Sequence, residues 1–307
     1  MEKEILQEEQ VPVGPKTALV SIIGRPSAGK STFLNTASGE KISIVSAIPQ
    51  TTRNAIRGIV NTSYGQLVFI DTPGLHLSDK KMNLKLSKIA QDQIAESDVI
   101  LYIIDASRDH GDEEKLIADL AKPFENKLVI AVNKSDCPNA DFEGAKKFVK
   151  ENFSDFPDSR LISMSAMEDK NVNDVLKAIY DLSPEGPHLY PEEYYTDQEV
   201  DFRISEIIRE EAIKRLKQEL PHAIYVDIQD MVMEKANLLK VRAAICVEKE
   251  SQKGIVIGKG AAMIKEIRVE SIKACRKIFP YRVDIDLQVK VNKNWRQKDF
   301  VLDKLLK

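Results

Sequence analysis

The stretch that decides the fold is Gly24-Arg25-Pro26-Ser27-Ala28-Gly29-Lys30-Ser31, which has the spacing G-x-x-x-x-G-K-S. An apolar run at residues 18–23 precedes it, and a helix-compatible segment continues from Thr32. The two glycines let the backbone wrap closely around phosphate oxygens, and the helix N-terminus adds its free amides and its dipole. Lys30 would place an ammonium against the β- and γ-phosphates, and Ser31 would offer its hydroxyl to Mg²⁺. The stretch therefore predicts a nucleotide-binding loop between a strand and a helix.

A second motif, Asp71-Thr72-Pro73-Gly74, follows the short apolar run at residues 67–70. The run predicts a strand that delivers Asp71 to its carboxyl end, where Pro73 and Gly74 then break the chain. An aspartate at this point can hold Mg²⁺ through water, and the amide of Gly74 can meet a γ-phosphate.

Two further motifs predict contacts to the base. Asn133-Lys134-Ser135-Asp136 follows an apolar run at residues 128–132, and Ser165-Ala166 follows residues 160–162. A carboxylate at Asp136 can accept hydrogen bonds from both N1–H and the 2-amino group of guanine, whereas adenine lacks this donor pair. Backbone amides near Ser165-Ala166 can receive the guanine O6. Taken alone, the first of these motifs is equally compatible with a simple turn, because Asn, Ser and Asp all favour turns.

The order and spacing of these motifs resemble those of translation-factor-class small GTPases, and the local sequence at residues 49–53 is similar to that of the Era family in particular. The resemblance implies a GTPase that converts GTP to GDP and phosphate with Mg²⁺. It assigns Thr52 as the switch threonine, with Thr51 as the neighbouring alternative, in a loop at residues 43–57 that orders when γ-phosphate is bound. It implies catalytic roles for Lys30, Thr52 and Gly74, and metal binding by Ser31, Thr52 and Asp71. The implied nucleotide-binding set is Gly24, Arg25, Pro26, Ser27, Ala28, Gly29, Lys30, Ser31, Thr32, Asp71, Thr72, Pro73, Gly74, Leu75, Asn133, Lys134, Ser135, Asp136, Ser165 and Ala166.

Two positions have consequences for catalysis. Leu75 stands where Ras-like enzymes carry a glutamine that orients the attacking water. Since an apolar side chain cannot orient water, we expect a slow intrinsic rate that a bound partner raises. Ser27 stands where the Era family usually has an asparagine linked to the use of a monovalent cation, so that K⁺ dependence is left open.

Length and composition are those of a globular protein with two domains. The chain has 307 residues, of which 43% are hydrophobic and 30% charged, and its net charge is −3. No apolar run approaches the roughly 18 residues of a membrane-spanning helix, and the polar N-terminus is unlike a secretory signal. Its three cysteines are widely spaced, as in proteins of a reducing compartment. We therefore expect a cytoplasmic protein.

Three prolines and a glycine at residues 182–191 predict a boundary between two domains. Before it, strand-like and helical segments alternate, which indicates an α/β domain with a mostly parallel sheet and helices on both faces. We predict an N-terminal tail at residues 1–16, a G domain at residues 17–183, a linker at residues 184–198 and a second domain at residues 199–307. The first helix of the second domain is expected to run from residue 198 to Leu220-Pro221.

The second domain has the order α-β-β-α-α-β and resembles an α+β type II KH domain. Its last part is basic, with 14 Lys and Arg against 6 Asp and Glu in residues 251–307. In KH domains a G-x-x-G loop between two helices clamps about four nucleotides of single-stranded nucleic acid. The candidate RNA-binding residues are Lys253, Ile257, Gly258, Lys259, Gly260, Ala261, Lys265 and Arg268. Ala261 replaces the second glycine: a left-handed backbone at this position would cost alanine about 1–2 kcal/mol, whereas the first turn of the following helix would tolerate it.

Taken together, the resemblance covers residues 17–307. It implies a ribosome-assembly factor whose KH domain binds the 3′ end of the small-subunit 16S rRNA and which assists maturation of the 30S subunit. A monomer with peripheral contact to the inner membrane is expected. The alternatives are an RNA-binding scaffold with a structural nucleotide, and a GTPase with a non-ribosomal RNA target.

Overall fold

The computed structural model describes residues 14–45, 56–71, 91–217, 220–235 and 237–305. Residues 1–13 of the predicted tail lie outside this range, and the first strand begins at Lys16, one residue before the predicted start of the G domain.

Within the described residues, the N-terminal half contains a six-stranded sheet with the order β2-β3-β1-β4-β5-β6. The strands are β1 (Lys16–Ile23), β2 (Ile56–Thr62), β3 (Gly65–Asp71), β4 (Val99–Asp105), β5 (Leu128–Asn133) and β6 (Leu161–Ser163). Strands β2 and β3 pair antiparallel, and every other neighbouring pair is parallel. The prediction of a mostly parallel sheet is confirmed.

Helices cover both faces of this sheet, as the alternating sequence pattern predicts. They are α1 (Lys30–Ser38), α2 (Asp112–Ala121), α3 (Phe142–Asn152) and α4 (Val172–Leu182). Successive residues of β4 point to opposite faces, so Leu101 and Ile103 pack in the core with α1 and α4, whereas Ile100 and Ile104 pack in the core with α2 and α3. A strand that is buried on both sides needs a continuous apolar run, which is what β4 has.

The predicted linker, residues 184–198, packs along the outer edge of β2. The backbone carbonyl of Tyr195 accepts a hydrogen bond from Ile59 N at 2.9 Å, and the hydroxyl of Thr196 donates to the carbonyl of Arg57 at 2.8 Å. Buried Gln66 on β3 holds the earlier part of this segment, since its carbonyl oxygen accepts from the backbone nitrogen of Tyr190 at 2.9 Å. The segment has no regular secondary structure but a defined course over the sheet.

The C-terminal half has the predicted order α-β-β-α-α-β. Its elements are α5 (Val200–Arg215), α6 (Leu220–Ala223), β7 (Tyr225–Lys235), β8 (Leu238–Val247), α7 (Glu250–Ile257), α8 (Ala262–Ile278), β9 (Arg282–Val291) and α9 (Asp299–Leu305). The sheet order is β7-β8-β9, with β7 antiparallel and β9 parallel to β8. Helices α5, α7 and α8 share one apolar core with the sheet. On the opposite face, buried Trp295 donates its indole N–H to the carbonyl of Ala223 at 3.0 Å.

The first helix of this domain is shorter than the sequence pattern predicts. It ends at Arg215, because Leu216 adopts extended backbone angles (φ −84°, ψ 150°). The expected endpoint, Leu220-Pro221, instead begins the short helix α6. Proline is tolerated there because residues of a first turn have no intrahelical partner for their N–H groups. Among the described residues, no helix is both long and apolar enough to cross a membrane.

Candidate functional site

The phosphate-loop sequence turns sharply between β1 and α1, at the carboxyl edge of the sheet. Gly24 (φ 150°) and Gly29 (φ 102°) both have backbone angles that disfavour other residues. A Cβ atom would clash with the carbonyl oxygen of Ile103 at the first position and with Nδ2 of Asn133 at the second. Ser27 is also left-handed, with φ 64°. The glycines are therefore required by close packing against β4 and β5.

Lys30 is buried across the mouth of this loop. Its Nζ donates to the carbonyls of Gly24 at 2.8 Å and Arg25 at 3.0 Å. Burial lowers the pKa of the Lys30 ammonium to about 8, although the charges of Asp71 and Glu114 act to raise it. The loop thus concentrates one poorly solvated positive charge where an anion would gain most from it.

The side chain of Arg25 is anchored by groups outside the phosphate loop. Its Nη1 donates to the carbonyl of Asp109 at 2.8 Å and to Oε2 of fully buried Glu114 at 3.3 Å. Glu114 also accepts from the hydroxyl of Tyr102 at 2.6 Å. Burial raises the pKa of Glu114, whereas the hydrogen bond from Tyr102 and the charge of Arg25 oppose that rise. The predicted part of Arg25 in the loop is therefore limited to its backbone.

The predicted metal ligands Ser31 and Asp71 are brought together. Ser31 Oγ donates to Asp71 Oδ2 at 2.6 Å, and Asp71 has no exposed surface. A hydroxyl and a carboxylate are hard oxygen ligands of the kind that Mg²⁺ binds together with phosphates and water. A third side chain, Ser43, also donates to Asp71 Oδ2, at 2.9 Å. These residues fit a Mg²⁺ ion beside the phosphate loop.

The two predicted base-binding loops meet at Asn133. Its Nδ2 donates to the carbonyl of Ala28 at 2.8 Å, and its Oδ1 accepts from the backbone nitrogen of Ala166 at 2.9 Å. Ser165 Oγ donates to Asp136 Oδ1 at 2.5 Å and so orients the carboxylate predicted to select guanine. The residues of these motifs therefore form one constellation with the phosphate loop.

Lys134 and Ser135 complete this motif. Lys134 has a positive φ of 69°, and its Nζ lies 2.6 Å from Oδ2 of buried Asp105 at the end of β4. Burial disfavours the charged carboxylate, but hydrogen bonds from Lys134 and Ser107 lower the pKa of Asp105 overall. The backbone nitrogen of Ser135 donates to the carbonyl of Met164 at 3.1 Å, which joins the two base loops.

Several predicted residues lie outside the described part of the chain. They are Thr51, Thr52, Thr72, Pro73, Gly74 and Leu75. The assignment of the switch threonine and of the γ-phosphate amide therefore stays a prediction.

The predicted RNA-binding loop connects α7 to α8. Gly258 (φ 75°), Gly260 (φ 59°) and Ala261 (φ 62°) all have positive φ, and the last two are left-handed; Ala261 N donates to the carbonyl of Gly258 at 3.1 Å. Of the two alternatives for Ala261, the structure has the left-handed one, because Ala261 precedes α8 as its N-cap. The alanine that replaces the family's second glycine therefore lies at a position where a Cβ atom is unfavourable.

The basic residues of this region differ in their surroundings. Lys259 and Lys265 are exposed, Lys253 is half-buried, and Ile257 packs partly against the domain core. Arg268 differs from these lysines because its guanidinium is already bound within the domain. It donates to Asp284 Oδ1 at 2.8 Å and to the carbonyl of Ile285. Its main contact is thus a tie between α8 and β9.

The sequence motifs did not reveal Asp105, Glu114 and Ser43, each of which contacts a predicted site residue, or Asn35, which holds Ser43. Only Asp105 carried a signal, since it ends an apolar strand as Asp71 does. The other three act through contacts that no local pattern reveals.

Comparison with known families and structures agrees with this geometry. Residues 19–134 match the family described as "50S ribosome-binding GTPase", and residues 219–296 match "KH domain". "GTPase Era" of Treponema denticola is 57% identical over 94% of this chain and 99% of its own. "GTPase Era" of Borreliella burgdorferi is 46% identical over 95% and 99%.

Two solved structures share both halves of the fold. A single-residue variant of Era from Aquifex aeolicus, bound to GDP.AlF4-, has a TM-score of 0.88 and 30% identity, covering 94% of this chain and 98% of its own. Era in complex with MgGDPNP and nucleotides 1506–1542 of 16S ribosomal RNA has the same score, identity and coverage.

The fold and the site define a GTPase whose phosphate-loop domain is followed by a KH domain. With this identity over nearly the whole length of both chains, the protein belongs to the Era family of GTPases.

Proposed function

We propose that this GTPase binds the 3′ end of 16S rRNA through its KH domain, under control of the bound guanine nucleotide, and assists maturation of the 30S subunit. The observation that carries the proposal is the match, over 94% of the chain, to an Era structure that holds MgGDPNP and 16S rRNA nucleotides together. The contacts at both sites supply the chemistry.

In the G domain, the amides of the phosphate loop and the Lys30 ammonium bind the β- and γ-phosphates, and Asp136 reads the guanine. Ser31 and Asp71 would hold Mg²⁺, and the ion would supply positive charge beside the phosphates. Lys30 stabilises the charge that develops on the phosphates, and Thr52 and Gly74 are assigned to the γ-phosphate by family resemblance. The apolar Leu75 keeps intrinsic hydrolysis slow, so we expect a bound partner to raise the rate.

In the KH domain, the left-handed loop at residues 258–261 brings backbone close to a single-stranded RNA backbone. Lys253, Lys259 and Lys265 add positive charge near the N-terminus of α8, where phosphates are already favoured. The half-buried Ile257 offers an apolar surface to the bases.

The two sites communicate in this proposal through contacts on either side of the predicted switch loop. Lys41 Nζ, just before the loop, lies 3.0 Å from Oε1 of Glu210 on α5. Arg57, at the end of the loop, lies 3.0 Å from Oδ2 of Asp197 in the linker. A change in the loop on γ-phosphate loss would therefore act on the position of α5 and the linker.

A second set of contacts links the linker to the RNA-binding helix. Arg203 on α5 donates to the hydroxyl of Tyr195 at 2.8 Å and lies over the ring of Phe279, 5.0 Å from its centroid. Phe279 directly follows α8.

The proposal also includes a cytoplasmic monomer with peripheral inner-membrane contact, as the family resemblance implies.

The deciding experiment is crosslinking of the full chain to RNA in cells, followed by sequencing. Enrichment of the 16S rRNA 3′ end supports the proposal, and enrichment of a non-ribosomal RNA overturns the target. Cosedimentation with separated 30S and 50S particles tests which ribosomal subunit is bound, and binding confined to 50S would contradict the proposal.

Binding of the 16S 3′-end RNA should differ between GDP and a non-hydrolysable GTP analogue, and equal affinities would remove the basis for control by nucleotide. A Lys30→Ala protein that still promoted subunit assembly would favour the scaffold alternative.

A further inference from the structure

Ser43 places a second hydroxyl on the carboxylate of Asp71. Its Oγ donates to Asp71 Oδ2 at 2.9 Å, and Ser31 Oγ donates to the same oxygen at 2.6 Å. Ser43 and Asp71 are both fully buried. A buried carboxylate oxygen is stable only where it is hydrogen-bonded, so these two donors fix the direction of Oδ2 and with it the orientation of the Asp71 carboxylate.

Ser43 is itself held by Asn35 on α1. The Oδ1 atom of Asn35 accepts from the backbone nitrogens of Ile42 at 2.9 Å and Ser43 at 2.8 Å, and its Nδ2 donates to the carbonyl of Ser43 at 2.8 Å. Three hydrogen bonds from one side chain leave the Ser43 backbone little freedom to move. Asn35 lies four residues after Ser31 and therefore on the same face of α1.

We infer that Ser43 is a positioning residue for Mg²⁺ binding, which it supports by orienting Asp71, and that Asn35 supports it in turn. This inference rests on the proposed metal site at Ser31 and Asp71. Groups that hydrogen-bond to a metal ligand set its orientation, and their loss typically lowers metal affinity about 10–100-fold. Ser43 is also the first residue of the predicted switch loop. Its hydrogen bond to Asp71 therefore joins the start of that loop to the proposed metal ligand.

The test is release of labelled GDP from the full-length protein across a Mg²⁺ titration, in wild type and Ser43→Ala. We expect the Mg²⁺ concentration for half-maximal GDP retention to rise about tenfold in the variant. GDP affinity in excess EDTA should stay within twofold of wild type, because Ser43 makes no direct part of the phosphate loop.

This readout separates positioning from a general structural role. Loss of GDP affinity by the same factor with and without Mg²⁺ would overturn the inference, as would a Mg²⁺ titration that overlays that of wild type. Failure of the proposed metal site itself would look different, because wild-type protein would then retain GDP independently of Mg²⁺.

Two further variants keep the test decisive. Ser271→Ala removes another fully buried hydroxyl, which donates to the carbonyl of Ile267 at 2.7 Å in α8, and should leave the Mg²⁺ titration unchanged. Asn35→Ala keeps the Ser43 hydroxyl but releases its backbone, and should shift the titration in the same direction as Ser43→Ala. If Ser43→Ala does not fold, Asn35→Ala carries the test alone, and an unshifted titration overturns the inference.

Discussion

The side-chain amide of Asn133 donates to the backbone carbonyl of Ala28, 2.8 Å away, and so joins the base-binding loops to the phosphate loop. The same side chain accepts from Ala166 N. The two parts of the nucleotide site, although 105 residues apart in sequence, are thus fixed to one another by one buried amide.

Replacing Asn133 with alanine should weaken binding of GTP and GDP alike. The change leaves a buried carbonyl and a buried N–H without partners, at a cost of about 1–3 kcal/mol for each group. We expect at least a tenfold rise in Kd for both nucleotides by calorimetry. Asn139→Ala is the matched control, since Asn139 donates to the carbonyl of Ser107 through an exposed hydrogen bond. Affinities of the Asn133→Ala protein within twofold of wild type would contradict this role.

Asp136 should distinguish GTP from ITP, which lacks the 2-amino group. The charged hydrogen bond to that group is worth about 1.5–3 kcal/mol, so wild type should bind GTP at least tenfold more tightly. In Asp136→Ala the two affinities should become equal, because the carboxylate that reads the difference is gone. Competition against labelled GDP measures both constants. A GTP preference that survives the substitution would place guanine selection elsewhere.

Nucleotide binding should take up a proton above pH 8. Burial lowers the pKa of Lys30 to about 8, so the free protein loses this charge as the pH rises past that value. Phosphate anions favour the ammonium and raise its pKa, and binding at pH 9 therefore adds a proton that binding at pH 7 does not.

Calorimetry in buffers of different ionisation enthalpy measures this uptake. Lys30→Arg is the control, because a guanidinium stays charged and leaves only the proton exchange of the nucleotide itself. Equal uptake by both proteins at pH 9 would show that Lys30 does not titrate on binding.

Ala261→Gly should stabilise the KH domain by about 1 kcal/mol. The left-handed backbone of Ala261 costs an L-residue about 1–2 kcal/mol, and the greater entropy of glycine in the unfolded chain offsets part of the gain. Chemical denaturation of the full chain reports the change. Ala262→Gly is the matched control, since Ala262 is right-handed (φ −66°) and its substitution should be neutral or destabilising. The same sign of change in both variants would contradict the conformational argument.

Breaking the ion pair between Lys41 and Glu210 should weaken the coupling between nucleotide and RNA. The Glu210 side chain is only 8% exposed and that of Lys41 35% exposed, so the pair is worth on the order of 1 kcal/mol. In Lys41→Gln, the ratio of RNA affinities with GTP analogue and with GDP should move severalfold toward one. Lys147→Gln, in the exposed Lys147–Glu151 pair, is the control. An unchanged ratio would exclude this contact from the coupling.

The sequence motifs predicted residues that the structure brings together, because each motif is local. A strand followed by glycines and a helix specifies the phosphate loop, and an apolar run followed by Asn133 and Asp136 specifies the base loop. Their supports were not predictable in the same way. Arg25 meets Glu114 and Ser43 meets Asp71 across long stretches of sequence, and such pairs depend on packing that has no local signature.

The KH loop is a case in which the local sequence itself does not determine the backbone conformation. Its composition predicted a glycine-rich turn, but the backbone angle of Ala261 could not be deduced, because a helix start and a left-handed cap use the same residues. The end of α5 at Arg215 was missed for a related reason, since the apolar period continues through Leu216 and Leu220 after the helix has stopped.

The course of the linker along β2 has a consequence for behaviour at high concentration. Strand β2 forms one border of the six-stranded sheet, and unprotected borders of this kind recruit strands from other molecules. Tyr195 and Thr196 occupy backbone groups of Ile59 and Arg57 that would otherwise offer such a template. The linker thereby covers part of this edge and reduces the tendency of the first domain to aggregate through it.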